Sequence, residues 1–138
     1  MPQTATQTNN LKRDIVKVND VSINVEEAVT VPEREKGLSG RKSLGTNDGM
    51  LFVLGKTNSI PTFWMKDMII SLDIIWIKGG LIIQIDKAVQ PPLIGTADNK
   101  LKLYTPKIPV EYVLEVNSGF CDRNGIKVGD SVQIPGVP

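Results

Sequence analysis

The stretch from Thr62 to Ile77 limits the possible folds more than any other part of the chain. It reads Thr-Phe-Trp-Met-Lys-Asp-Met-Ile-Ile-Ser-Leu-Asp-Ile-Ile-Trp-Ile. Alternation places Met68, Ile70, Leu72, Ile74 and Trp76 on one face, and Ile69, Ser71, Asp73, Ile75 and Ile77 on the other. Both faces are mostly apolar, so the stretch predicts a central strand covered on both sides. Asp73 is a lone carboxylate inside it. An isolated charge in such a place is costly unless it is paired or hydrogen-bonded. Some other part of the fold must therefore answer Asp73.

The surrounding sequence predicts more strands. Ile15 to Val18 and Val21 to Val25 flank Asn19-Asp20, a two-residue hairpin turn. Met50 to Val53 is a short apolar strand after the turn Asn47-Asp48-Gly49. Gly79-Gly80 turns the long run into Leu81 to Ile85, with Leu81, Ile83 and Ile85 on one face. Leu101 to Tyr104 is a weaker strand. Val110, Tyr112, Leu114 and Val116 alternate with Glu111, Val113, Glu115 and Asn117 in a clear one, and Val128 to Ile134 makes a last turn and strand. Thr30, Pro32 and Glu33 have the pattern of a helix start, and Gly37 of its stop. A second short helix is expected up to Asn124, capped by Asn117-Ser118. The expectation is a mainly β fold: a single compact β-sandwich or small barrel of about eight short strands with two short helices. Residues 1–13 read as a flexible polar tail and 14–135 as one β-rich domain.

Composition excludes several chemistries. The 138 residues contain no histidine and one cysteine, Cys121. That removes the common zinc sites, a Ser-His-Asp triad and a Cys-His pair. No cofactor or metal is expected, and acid–base work would fall to Asp, Glu, Lys or Tyr. Sixteen basic residues against fifteen acidic ones argue against a nucleic-acid backbone binder. No stretch reaches the roughly 18 apolar residues of a membrane span. Cys121 reads as a buried, inert thiol.

Several segments carry a family resemblance. Arg34-Glu-Lys-Gly-Leu38, Gly40-Arg-Lys-Ser-Leu44 and Gly49-Met-Leu-Phe52 are followed by Phe63-Trp-Met-Lys66 and Leu72-Asp-Ile-Ile75. Tyr112-Val-Leu-Glu-Val116 and Gly125-Ile-Lys-Val-Gly-Asp130 complete the series. Together, over roughly 15–134, they resemble the family called domain of unknown function 192. The resemblance implies a compact, mainly β fold and no established activity. Its motif positions fall here on Arg34, Arg41, Trp64, Met65, Lys66, Asp73, Tyr104 and Glu115. Many members carry an export signal or lipid anchor, so an extracytoplasmic location is an expectation. The chain departs from the family at Ser39-Gly40, where a large apolar residue is common, at Val31 before Pro32, and in lacking Pro-Cys before Tyr104.

The candidate ligand-binding residues are Arg41, Trp64, Met65, Lys66, Asp73, Tyr104 and Glu115. Each also has a structural reading. Asp73 fits a structural ion pair or a carboxylate that accepts backbone N–H bonds. Trp64 and Met65 fit core packing, and Arg41 a salt bridge. Glu115 and Asn117 are expected in solvent, on the polar side of their strand. The favoured function is a binding module for a small molecule, glycan or peptide, with its cleft around Trp64, Lys66 and Asp73. The alternatives are a carboxylate-based hydrolase or lyase using Asp73 with Glu115 or Lys66, and an accessory or scaffold protein without a small ligand.

Overall fold

A computed structural model describes residues 11–55 and 60–136. Seven strands form one sheet: β1 (Arg13–Val18), β2 (Val21–Ala28), β3 (Asp48–Val53), β4 (Leu72–Lys78), β5 (Leu81–Val89), β6 (Tyr112–Asn117) and β7 (Val132–Gln133). Their order is β5-β4-β6-β3-β2-β1-β7. All neighbours run antiparallel except β2 and β3. A parallel pair needs a crossover. Here residues 29–47 supply it, and they carry the helix α1 (Val31–Lys36). A second helix, α2 (Phe120–Arg123), follows β6.

The sheet curls into a half-barrel. Its two edges meet at one corner, where Leu81 bridges Ser131 and the Val132 N–H donates to the Gly80 carbonyl at 2.9 Å. Both faces are buried. Val16, Ile23, Leu51, Ile75, Leu114, Val116 and Val132 fill the inside, closed by Phe120 and Cys121 of α2. Met50, Phe52, Leu72, Ile74, Trp76 and Val113 lie on the outside, beneath Leu38 and Met65. The α1 crossover and the 60–70 segment therefore roof the outer face.

Local chemistry explains the elements. Thr30 and Glu33 form a reciprocal capping box at α1, and Gly37 ends the helix at φ 48°. Asn19, at φ 52°, makes the first hairpin turn. Gly49 lies directly across from Val116 on β6, and a Cβ there would come within 2.7 Å of the Glu115 carbonyl oxygen. Only glycine lets β3 and β6 approach this closely.

The structure corrects the sequence reading in five places. There are seven strands, because Leu101 to Tyr104 supplies only one isolated bridge, Tyr104 to Phe63. The central strand begins at Leu72, since a turn with Asp67 at φ 59° interrupts the run before it. Ile82 and Ile85 face the inside while Ile83 faces the outside. A bulge near Ile83, where the register with β4 shifts, breaks the expected alternation. The residue before α2 is Gly119, with no side-chain cap, while the Asn117 amide donates instead to the Leu44 and Gly45 carbonyls. Glu115 is buried rather than solvated. Of the expected tail, residues 1–10 lie outside the described residues, Leu11 packs against the outer core and Arg13 opens β1.

Candidate functional site

The outer face holds a cavity of about 410 Å³ between α1 and the segment 61–68. Leu38, Phe52, Leu54, Phe63, Met65 and Met68 give it apolar walls. Trp64 and Lys66 stand beside one another on its wall, with the Lys66 ammonium 5.4 Å from the Trp64 ring centre. Glu115 lies among its lining residues. The stacking of Phe52 against Phe63 and of Phe63 against Trp76, both edge to face, fixes the aromatic wall.

Glu115 is the unusual group. It sits on β6 between Met50 of β3 and Ile74 of β4, and only 5% of it is exposed. Among the described residues no hydrogen-bond donor or cation answers its carboxyl. Burial alone pushes its pKa up to about 8, so the group is neutral at pH 7. The sequence carried a signal for this burial: Val113 shares the face of Glu115, so that face is not a polar one.

Asp73 is treated in the opposite way. It is 1% exposed and points to the inside of the half-barrel. Its Oδ1 accepts the Ala88 N–H at 2.9 Å and its Oδ2 the Cys121 N–H at 3.1 Å. The first N–H belongs to an irregular turn of β5, where Ala88 has φ 54°. The second opens α2, the helix that Gly119 leaves uncapped. Asp73 thus joins β4, β5 and α2, as the structural reading of this residue requires. Burial and the nearby Asp73 carboxylate push the Cys121 thiol up to about 12, which makes it inert at neutral pH.

The other candidates separate. Trp64, Met65, Lys66 and Glu115 share the cavity. Tyr104 and Met65 line a smaller recess with Pro91, Pro92 and Lys102. Arg41 forms an ion pair with the buried Glu26, which Arg13 also approaches at 3.8 Å. Lys66 pairs with Asp98 at 2.8 Å, and that hydrogen bond raises its pKa. A lysine acting as a base needs the opposite shift. Asp73 and Glu115 lie on neighbouring strands but opposite faces, because Asp73 is matched with Val116 and Glu115 with Ile74. They cannot work as a carboxylate pair.

Sequence reasoning missed Leu38, Phe52 and Met68 as lining residues. Two of them lay in the motif segments, but an apolar side chain carries no signal that distinguishes a cavity wall from a core. Among the described residues no group of three or more Cys, Asp or Glu side chains converges on a point that could hold a metal ion. No helix among them is long and apolar enough to cross a membrane.

Similar proteins agree on the fold. A crystal structure from Sinorhizobium meliloti 1021, described as a "putative transcription regulator", superposes with a TM-score of 0.81 at 29% identity, covering 92% of this chain and 97% of that one. A protein of unknown function from Novosphingobium aromaticivorans DSM 12444 gives 0.80 at 28% identity, covering 97% and 99%. No curated protein matches the chain. Residues 14–134 match the family described as an uncharacterized ACR, DUF192. With nearly its whole folded part matched, the chain belongs to the DUF192 family.

Proposed function

We propose that this protein is a binding module that takes a small organic molecule into the cavity between α1 and the 61–68 segment. One observation carries the reading: Glu115, a buried carboxyl without a partner among the described residues, lines a cavity that is otherwise mostly apolar. A cavity of about 410 Å³ falls within the range of small-molecule sites. Apolar inner walls with a single buried carboxyl, and the other charged groups on α1 and at Lys66, suit a compact, largely apolar ligand better than a glycan. The volume also leaves little room for a peptide. The hydrolase and lyase alternatives lose their support, since Asp73 faces away from Glu115 and Lys66 is held charged by Asp98.

Thermal denaturation against a panel of small apolar molecules tests the reading. A ligand of this cavity should raise the wild-type midpoint and should fail to raise that of Phe52→Ala. Equal shifts in both proteins would place binding elsewhere, and no shift with any compound would remove the reading. The scaffold alternative has one observation on its side: Leu93 and Ile94 stand exposed on the 91–96 loop.

A further inference from the structure

Resting on the binding-module reading, we propose that the ligand is an organic cation, a primary ammonium group on a short apolar body, with the ammonium seated against Glu115. The fold answers its other buried carboxylates from within. Asp73 receives two backbone N–H groups, Glu26 receives Arg41, and Glu27 has the Lys12 ammonium and the Asp14 carboxyl beside it. Among the described residues Glu115 alone has neither a hydrogen bond nor a charge answering it, which leaves room for a ligand to complement it.

Donor count separates an ammonium from a carbonyl. A neutral carboxyl can give its one proton to a carbonyl, which leaves its own acceptor oxygen buried and unmatched. An ammonium brings three donors and satisfies both oxygens of an ionised carboxylate. The surrounding groups also fit a cation. Phe52, Phe63 and Trp64 supply aromatic rings, and Met65 and Met68 supply thioethers. Trp64 already attracts an ammonium, that of Lys66.

The charged groups sharing the cavity are Arg34, Glu35 and Lys36 of α1 and Lys66 of the 61–68 segment. Arg34 donates to the Val29 and Val53 carbonyls, and Lys66 is held by Asp98. Glu35 and Lys36 are exposed. From the adjacent strands, Met50 and Ile74 flank Glu115, and both are apolar. When R–NH3+ enters, the Glu115 carboxyl releases its proton to solvent, the ammonium keeps its own three, and a carboxylate–ammonium pair forms.

Isothermal titration calorimetry with n-hexylammonium chloride tests this, with n-hexanol as the neutral isostere. In two buffers of different ionisation enthalpy, hexylammonium should release about one proton at pH 6. Because Glu115 titrates at about 8, the binding constant should rise about 50-fold between pH 6 and pH 8. Glu115→Gln, checked for its fold by circular dichroism, should bind hexylammonium at least tenfold more weakly and hexanol unchanged. Hexanol binding as tightly as hexylammonium, or hexylammonium binding without proton release, overturns the cation and leaves the binding module standing. Silence from both probes overturns the two together. Proton release is read on the wild-type protein, so the test survives a variant that does not fold.

Discussion

Asp73 and Glu115 sit on adjacent central strands, a single residue out of step, and face opposite sides of one sheet. Inside, the carboxylate is met by two backbone N–H groups and holds together three elements. Outside, the carboxyl lies between Met50 and Ile74 with no hydrogen-bond partner among the described residues, and burial raises its pKa to about 8. Two acids at nearly equal burial thus have opposite roles, and burial alone does not tell them apart. What differs is the neighbouring backbone. β5 and α2 each leave an N–H unmatched beside Asp73, whereas the strands flanking Glu115 use theirs in the ladder. A carboxylate that the fold has satisfied belongs to its architecture, and the one left unsatisfied beside the cavity is the one we propose for a ligand.

Substitutions can break this contrast. The largest effect is expected at Asp73→Ala, which strands two buried N–H donors and should cost about 4 kcal/mol in urea unfolding. Asp73→Asn keeps one acceptor and should cost about half as much. A wild-type midpoint in Asp73→Ala would show that the inner carboxylate is dispensable.

The outer carboxyl should show itself through pH. Glu115 stays protonated in the folded chain up to about pH 8 but ionises near the ordinary glutamate value once unfolded. Its contribution is therefore complete at low pH and is lost as pH rises towards 8. Relative to Glu115→Gln, the wild type should lose about 3 kcal/mol between pH 5 and pH 8. Parallel pH profiles for the two proteins would mean that Glu115 has a partner. The smallest effect is expected at Thr30→Ala, which removes the α1 cap and should cost about 1 kcal/mol. The same change should loosen ligand binding at the cavity without altering the titration of Glu115. A shift in that titration would tie the roof to the floor more closely than the contacts suggest.

Much of the strand pattern was legible because periodicity and turn residues are local. The two faces from Leu72 to Ile77, the hairpin at Asn19-Asp20 and the capping box at Thr30 all follow from neighbours in sequence. The bulge near Ile83 did not show, because it depends on how β4 matches β5 rather than on either strand alone. The burial of Glu115 was half legible. Val113 marks its face as apolar, but the roof over that face comes from residues 31–38 and 61–68, far away in the chain. For Asp73 the sequence showed that an answer was needed. It did not show that the answer would be main-chain N–H groups, which no side-chain pattern records.

The isolated bridge between Phe63 and Tyr104 bears on how the cavity opens. Each residue donates its N–H to the other's carbonyl, at 2.9 and 2.8 Å, in a region with no other ladder. The bridge ties the cavity wall to the segment around Tyr104, so lifting one should free the other. Amide hydrogen exchange would record this as two protected positions exchanging at one common rate, faster than the strands below them. Entry of a molecule into the cavity would then slow both amides together, which gives a readout of occupancy that requires no knowledge of the ligand.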